Sequence, residues 1–178
     1  PLSATASIKS NHVQRTEVRK YSQMKEAVNI ENSVLFPEIF KLLDEGHTVT
    51  LGLKGFSMRP FLENNRDKAV LIKGDGLRKG EPVLAEVAPG HYVLHRLVKI
   101  DGDKLTLLGD GNLTPEHCRR DDVKAHVIGF YRKGNTELDS IEGHKWKVYS
   151  WWWTRLRPIR RWLLAFYRRI WIPLFGTL

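Results

Sequence analysis

Six short apolar runs between residues 48 and 131 constrain the fold more than any other feature of this 178-residue chain. Gly, Asp and Pro residues separate the runs, and no helical period lies between them. The predicted strands are Thr48–Leu53, Ala69–Ile72, Pro82–Val87, Tyr92–Ile100, Leu105–Leu108 and Val127–Tyr131. Asp101-Gly102-Asp103 predicts a tight hairpin between the fourth and fifth strands. The pattern predicts a mainly β fold, in which the strands form a compact, bent antiparallel β domain.

The chain before the strands is predicted to hold one short helix. Over residues 32–45 four apolar residues fall on one helix face, and Ser33 is a possible N-terminal cap. These four residues are Leu35, Ile39, Leu42 and Leu43. Gly46 then ends the helix. Residues 1–23 are polar and aperiodic, so we expect an N-terminal extension that is disordered or foreign to the natural protein, with Met24 as a possible natural start.

The C-terminal segment differs from the rest of the chain in charge and in aromatic content. The net charge is +9, and residues 143–178 contribute eight Lys and Arg residues and no acid. All six tryptophans also fall there. We therefore divide the chain into the 1–23 extension, a helical segment over 24–47, a β domain over 48–142 and a basic tail over 143–178. The single cysteine, Cys118, excludes an internal disulfide, and the sequence has no apolar run long enough for a transmembrane helix.

The tail is predicted to form an amphipathic helix that begins near Pro158 or earlier, with Pro158 in a first turn. Apolar residues spaced by three or four share one face, namely Trp152, Leu156, Ile159, Leu163, Phe166 and Ile170. We favour a helix lying in the plane of an anionic membrane surface, because Trp suits the lipid interface and Arg meets anionic headgroups. The expected membrane-contact residues are Trp152, Leu156, Ile159, Arg160, Arg161, Leu163, Phe166 and Arg168.

Two other roles for the tail stay open at the level of sequence. Its apolar face could instead pack on the β domain, leaving the arginines in solvent. Arginines with aromatic residues could also stack on bases and neutralise phosphates. The rest of the chain is nearly neutral and has no nucleic-acid reader motif, so we expect no nucleic-acid partner.

Three short motifs in the β domain supply the residue types of a nucleophile, a base and an acid, in that order. Gly55-Phe56-Ser57-Met58-Arg59-Pro60 predicts a sharp turn that presents a hydroxyl at a strand end. Tyr92-Val93-Leu94-His95-Arg96 places a histidine inside an apolar strand, and Gly109-Asp110-Gly111-Asn112 follows a further strand. A neutral imidazole can take the proton of a serine hydroxyl, and a carboxylate on its other nitrogen fixes the tautomer.

The spacing of these motifs resembles the type I signal peptidase and SOS-repressor superfamily of serine proteases. Gly-x-Ser-Met-x-Pro is followed about 38 residues later by Val-Leu-His-Arg, and Leu-Gly-Asp-x-Asn comes about 15 residues after that. A histidine rather than a lysine at the base position is similar to the archaeal and endoplasmic-reticulum signal peptidases. The match covers roughly residues 48–131, and it implies the bent β fold of that superfamily and a peptidase activity.

The resemblance implies a role for each matching residue. Ser57 would be the nucleophile, His95 the general base, and Asp110 the acid that holds or polarises His95. Asp122 is the second choice for this acid, because histidine-type members carry an Asp-Asp pair shortly after the third motif. Here that pair comes later, across an insertion that contains Glu116. The implied turn and substrate-binding residues are Gly55, Phe56, Met58 and Pro60.

Two details depart from the family pattern or compete with it. Members often carry a small hydroxyl residue two positions before the nucleophile, where this chain has Gly55, so an oxyanion would rest on backbone N–H groups, chiefly that of the nucleophile. A lysine base is the competing hypothesis. Lys73 and Lys79 come early in the chain, and Lys99 lies at a strand end beside Asp101, where a solvated, charged lysine is expected.

The resemblance and the tail together imply a serine endopeptidase that cleaves leader-bearing or exported peptides after a small residue while lying on a membrane surface. The expected partners are a peptide or preprotein substrate and an anionic membrane, and we expect no cofactor and no metal. The alternative is a catalytically degenerate peptidase fold that serves as a membrane-docked peptide-binding module, which the bulky Phe56 motivates. A self-cleaving repressor is disfavoured, because the chain has no Ala-Gly or Cys-Gly dipeptide.

Overall fold

The computed structural model describes residues 6–9 and 32–178, with the side chains of residues 6–9 and 32–34 left out of the description. The strands are β1 (Ala6–Lys9), β2 (Thr48–Gly52), β3 (Lys68–Ile72), β4 (Pro82–Ala88), β5 (His91–Asp101), β6 (Lys104–Leu108), β7 (Glu116–Arg119), β8 (Val123–Tyr131) and β9 (Asp139–Ser140). The α-helices are α1 (Asn32–Asp44), α2 (His144–Arg155), α3 (Arg160–Phe166) and α4 (Ile172–Phe175). Short 3₁₀ segments cover Arg120–Asp122 and Arg157–Ile159, and a π-helical turn covers Tyr167–Trp171.

The strands of the described residues form one antiparallel sheet. Its order is β1-β2-β3-β8-β4-β5-β6-β7, and β9 pairs with β8 beside this path. The register shifts within the β3–β8, β4–β8 and β5–β6 ladders, and such bulges bend a sheet and increase its twist. The chain is therefore mainly antiparallel β with a few helices, as the sequence predicts.

The predicted strands are confirmed, and their ends are mostly within one residue of those observed. The exception is β8, which begins at Val123 rather than at Val127. Asp101 pairs with Lys104, so the predicted hairpin closes through the two residues Gly102 and Asp103. Gly102 has a φ of +58°, which matches the left-handed backbone of a two-residue hairpin loop.

Three strands were not predicted, and two of them are the edges of the sheet. β1 lies inside the segment expected to be disordered, and residues 6–9 instead pair with Thr48–Leu51 of β2. An exposed edge strand offers free N–H and C=O groups, and pairing satisfies them without any apolar signature in the added strand. Residues 10–31 lie outside the described residues. β7 reads Glu116-His117-Cys118-Arg119, which is too polar for an apolar-run search to find.

Helix α1 covers one face of the sheet, as its apolar pattern predicts. Phe36, Ile39 and Leu43 are at most 1 % exposed and join a core with Val49, Leu71 and other strand residues. Full burial of one such side chain stabilises the fold by about 1.5–3 kcal/mol. The helix ends at Asp44, two residues before Gly46, whose φ of +84° confirms it as the stop.

The first tail helix packs into this same core. Trp146 of α2 is 5 % exposed and meets the Phe61 ring edge-on, at 4.8 Å between centroids. Tyr149 stacks on the same ring at 4.5 Å, and Trp153 continues the stack at 5.9 Å from Tyr149. Because these aromatic residues fill the core, the beginning of the tail is joined to the β domain rather than separate from it.

Four of the six residues of the predicted apolar stripe of the tail are exposed, and Leu156 and Leu163 are partly buried. Trp152, Ile159, Phe166 and Ile170 each leave about half of their surface exposed. Pro158 stands in the first turn of the 3₁₀ segment that precedes α3, as predicted, but α2 ends at Arg155, so the tail helix is broken there instead of continuous. No helix among the described residues is long and apolar enough to cross a membrane.

Candidate functional site

The turn that carries Ser57 depends on the glycine two residues earlier. Gly55 has a φ of +100°, and a Cβ added there would meet no atom within 4 Å. A side chain at this position would therefore be opposed by backbone conformation and not by crowding. The Gly55 N–H donates to Asn64 Oδ1 at 2.8 Å, which fixes the turn. This geometry explains why position 55 holds glycine instead of a residue with a hydroxyl group.

The other predicted turn residues surround Ser57. Met58 is buried at 6 % exposure, whereas Phe56 is 51 % exposed beside the serine. The Arg59–Pro60 peptide bond is cis. The Arg59 guanidinium lies 4.1 Å from the centre of the Phe56 ring and also binds the Glu63 carboxylate, with 2.9 Å between Nε and Oε2. The turn is thus anchored on one side of Ser57 and open on the other.

His95 lies inside β5 and is held by an acid from β7. Its side chain is 4 % exposed, and its Nδ1 is 2.6 Å from Oε2 of Glu116. Among the described residues neither of these two atoms has a hydrogen bond of good geometry, so the contact is a close approach of charge to ring nitrogen. The contact with His95 outweighs partial burial and holds the pKa of the Glu116 carboxyl below its usual value. Glu116 is therefore ionised at neutral pH and faces one nitrogen of the ring.

The second ring nitrogen of His95 faces the turn of Ser57. A Cβ added to Gly109 would stand 2.9 Å from His95 Nε2, and it would overlap the backbone oxygen of Ser57. A Cβ on Gly111 would lie 2.5 Å from the backbone oxygen of Phe56. The Gly111 N–H donates a hydrogen bond to the backbone oxygen of Ser57, at 2.7 Å from N to O. The glycine loop between β6 and β7, residues 109–112, therefore packs closely against the serine turn, and the imidazole of His95 lies at the same contact.

No hydrogen bond joins the Ser57 hydroxyl to the imidazole in the described part of the chain. The unliganded sites of hydrolases often show long or poorly aligned contacts between nucleophile and base, which tighten when substrate binds. A Cβ on Gly109 would touch both the imidazole and the backbone oxygen of Ser57, so these two residues are close neighbours. The serine turn and the imidazole are therefore close to each other, without a hydrogen bond from the hydroxyl to the ring.

Asp110, the first choice for the acid, does not hold His95. It is fully buried, and its two carboxylate oxygens accept hydrogen bonds from Arg96, at 2.9 Å from Nε and 2.7 Å from Nη2. The Tyr149 hydroxyl donates to the same carboxylate at 2.9 Å. Successive residues of a strand point to opposite faces, so Arg96 and His95 face different acids. The predicted contact between Asp110 and His95 is wrong, and Asp110 is part of a buried network instead.

Each group of this buried network holds its neighbours in one protonation state. Burial alone would lower the pKa of Arg96, but the charge and hydrogen bonds of Asp110 outweigh it and raise that pKa above its usual value. Burial and the Asp110 charge raise the pKa of Tyr149 well above its usual value, so its hydroxyl keeps the proton that it donates. Trp153 Nε1 adds a hydrogen bond to the backbone oxygen of Asp110, at 3.1 Å.

Asp122, the second choice, also has another partner. Its Oδ2 accepts the backbone N–H of Arg119 at 2.6 Å, at the start of the 3₁₀ segment. In the sequence Glu116 belongs to an insertion and carries no motif that marks it as a partner of His95. The signal that could have found it is the pairing of β7 with β6, which sets Glu116 opposite Leu107 and one strand away from β5. The polar composition of β7 hid this pairing.

The lysines considered as a base lie outside the site. Lys99 is ion-paired with Asp101 at 2.8 Å, and its side chain is 66 % exposed. Lys73 pairs with Asp44 at 2.7 Å and is 53 % exposed. Both side chains are largely exposed and pair with an acid at the surface. Among these candidates His95 alone is enclosed at the serine turn.

A small recess opens beside Ser57. Besides Gly55 and Ser57, its lining combines two charged residues, Lys54 and Glu63, with four apolar ones: Leu53, Met58, Leu62 and Leu94. Its volume is about 20 Å³, which is room for about one water molecule or methyl group. A recess of this size and polarity suits a small side chain of a peptide.

The tail reaches the same loop. Arg168 Nη2 donates to the Gly111 backbone oxygen at 2.8 Å, one residue from the buried Asp110. Arg161 and Arg168 are exposed. Arg160 is not: it is 4 % exposed and donates to the Trp153 backbone oxygen at 3.2 Å, and burial lowers its pKa. The prediction that Arg160 contacts a membrane is therefore wrong, because its side chain is packed inside the tail.

Comparison with known proteins adds no assignment. No family model matches the chain, and no curated protein is significantly similar to it.

Proposed function

We propose that the chain is a serine endopeptidase of signal-peptidase-like type, in which Ser57 is the nucleophile, His95 the general base and Glu116 the acid that orients the base. The observation that carries the proposal is the enclosed imidazole. One of its nitrogens is 2.6 Å from an ionised carboxylate, and the other faces the turn of a serine. A lone turn serine or a core histidine does not require this pair of neighbours.

The proposed reaction is acyl transfer in two steps. His95 Nε2 takes the hydroxyl proton as Ser57 Oγ bonds to the carbonyl carbon of the scissile peptide. The imidazolium then gives that proton to the departing amine as the C–N bond breaks, which leaves an acyl-serine. Water attacks this ester with His95 again as base, and Ser57 recovers its proton. Glu116 stabilises the imidazolium and holds the tautomer with a proton on Nδ1.

The oxyanion of this reaction would be stabilised by backbone donors of the turn. The Ser57 N–H makes no hydrogen bond to another described residue, so it is available to the developing charge. The positive φ of Gly55 disfavours a residue with a side-chain donor at that position. Loss of one donor typically lowers the rate about 10²–10³-fold. A modest turnover is therefore expected compared with a site that has two donors.

The proposed substrates are leader-bearing or exported peptides with a small residue at the cleavage site. The small recess next to Ser57 supports a small side chain at this position. The exposed aromatic and aliphatic residues of the tail, together with its eight basic residues, support work at an anionic membrane surface. The two features lie on elements that meet at Gly111, which is consistent with cleavage close to lipid.

A second candidate is a peptide-binding module with the same fold and no catalysis. Two observations favour it: the exposed Phe56 beside Ser57, and the absence of a hydrogen bond from the Ser57 hydroxyl to His95 in the described structure. In this case the recess would bind a peptide and the tail would dock on the membrane. The two candidates differ in one property, the reactivity of Ser57.

A fluorophosphonate probe tests the proposed function. The probe reacts with an activated serine hydroxyl, and mass spectrometry then locates the modified residue. We expect labelling confined to Ser57 in the natural chain, and its loss when His95 is replaced by glutamine. The Ser140→Ala variant is a control for exposed serines and should label as the natural chain does. No labelling from mildly acidic to mildly alkaline pH would reject the enzyme in favour of the binding module.

A further inference from the structure

A basic cleft lies between the glycine loop of the site and the tail. Gly111 and Leu113 form one wall, and the arginines Arg161, Arg168 and Arg169 form the other. The buried Leu164 closes its floor. The volume of the cleft is about 250 Å³, enough to admit a phosphate group with part of its ester. None of these residues belongs to the proposed catalytic group.

The positive charge of the cleft is not neutralised by the chain. Arg161 and Arg169 have no hydrogen bond or ion pair with another described residue, and Arg168 has only its bond to the Gly111 carbonyl. Asp110 is next to Gly111 in the sequence, but its carboxylate already accepts hydrogen bonds from Arg96 and Tyr149. No acid occurs after Glu142. Three guanidinium groups around one cleft without a carboxylate are suited to an external anion, and their planar forks match phosphate oxygens.

The surroundings of the cleft are apolar and exposed. Leu113 on the loop is 57 % exposed, and Trp162 and Phe166 on α3 are 73 % and 51 % exposed. The spacing of four between Trp162 and Phe166 continues to Ile170, one position after each of Arg161, Ala165 and Arg169. Within α3 one residue is about 100° of rotation, so the apolar stripe of Trp162 and Phe166 lies on the face next to that of Arg161, and the exposed Ile170 follows in the π-helical turn. Free phosphate would gain nothing from this stripe, whereas a lipid would contact it with its acyl chains.

We infer that this cleft is a binding site for the phosphate of an anionic phospholipid headgroup. The guanidinium groups of Arg161, Arg168 and Arg169 hold the phosphate, and Leu113, Trp162 and Phe166 enter the acyl region. This inference rests on the proposal that the protein works at a membrane surface, and it adds the ligand and the residues. Because Gly111 lines the cleft and its N–H binds the Ser57 carbonyl, a bound headgroup lies next to the serine turn.

The test compares two double variants that remove the same charge from the tail. Arg161→Gln with Arg169→Gln empties the cleft of two guanidinium groups that have no partner in the described chain. Arg155→Gln with Arg157→Gln is the matched control, since both residues are exposed and lie outside the cleft. All proteins carry Ser57→Ala, so that binding is measured whether or not the chain is an enzyme. Thermal melting checks that both variants fold.

Binding is measured to phosphatidylcholine vesicles that contain one part in five of phosphatidylglycerol. A basic residue near an anionic surface is worth a factor of about five through general attraction, which both variants lose equally. We expect the cleft variant to bind at least about tenfold more weakly than the control variant, because it also loses phosphate hydrogen bonds. Equal weakening of the two variants would overturn the inference and leave only general surface attraction.

Soluble probes separate the sources of the anion. Short-chain phosphatidylglycerol below its micelle concentration should raise the melting temperature of the Ser57→Ala protein, and should not do so in the cleft variant. Inorganic phosphate at the same concentration should raise it much less. An equal effect of inorganic phosphate would overturn the lipid source. If the lipid does not change the melting temperature and an acidic peptide alone raises it, the cleft binds an acidic side chain and the inference is wrong.

Discussion

Replacement of Ser57 with alanine is expected to abolish peptide cleavage. The hydroxyl is the only group in the proposed site that bonds to the substrate carbonyl, and loss of such a nucleophile lowers the rate on the order of 10⁴–10⁶-fold. The side chain is small and only half-buried, so the free energy of unfolding should change little. The measurement is mass spectrometry of a peptide library whose members carry small residues, incubated with anionic vesicles.

His95→Gln should cause a comparable loss of cleavage. Glutamine is preferred to alanine because His95 is buried at 3 % exposure, and alanine would leave a cavity beside Glu116 that destabilises the fold for reasons unrelated to catalysis. Thermal melting of each variant is the control for folding. Full activity in the Ser57→Ala protein would remove the proposal that Ser57 is the nucleophile.

Asp110→Ala is expected to lower the free energy of unfolding by about 3–5 kcal/mol, because it leaves the buried Arg96 charge without its partner. The fully buried pair also loses the hydrogen bond from Tyr149. The matched control is Asp103→Ala, which breaks a 2.9 Å pair with Arg119 at the surface and should cost about 0–1 kcal/mol. Urea unfolding measures both. If the two variants have similar stability, Asp110 is not the centre of a buried network.

The sheet was predictable because its strands carry local signals. Alternating apolar residues and the turn residues between them identify β2 to β6 and the hairpin at Gly102, and the Gly55 turn follows from the same chemistry. β1 and β7 carry no such signal. They are polar edges, and their place depends on which neighbouring strand offers free backbone groups.

The partners of the site residues could be predicted only in part. Sequence spacing identifies Ser57 and His95 as neighbours, but it gives Asp110 as the acid because that residue belongs to the third motif. The alternation of β5 sets His95 and Arg96 on opposite faces. Asp110, the acid of the third motif, binds Arg96 and not His95. Glu116 then occupies the place beside His95. This exchange of partners depends on the register of β7, which no short motif encodes.

The packing of the tail could be predicted only in part, because both of its faces are apolar. Trp152 and Phe166 form a regular stripe, but Trp146, Tyr149 and Trp153 form a second aromatic face that periodicity cannot rank against the first. The sheet decides between them. At its buried face are the Phe61 ring and the Arg96 guanidinium, which lies 4.5 Å from the centre of the Trp146 ring. Both groups pack favourably against aromatic rings. The exposed stripe is then left for another partner.

The most direct test of the central claim is the rate of cleavage by Glu116→Gln. The claim is that a serine, an imidazole and this carboxylate act together, so the neutral amide should lower kcat on the order of 10²–10⁴-fold while thermal melting stays close to that of the natural chain. Asp122→Asn is the matched control, because Asp122 caps the 3₁₀ segment and should leave kcat within about twofold. A Glu116→Gln protein that cleaves as fast as the natural chain, or a loss of cleavage in Asp122→Asn instead, would contradict the account.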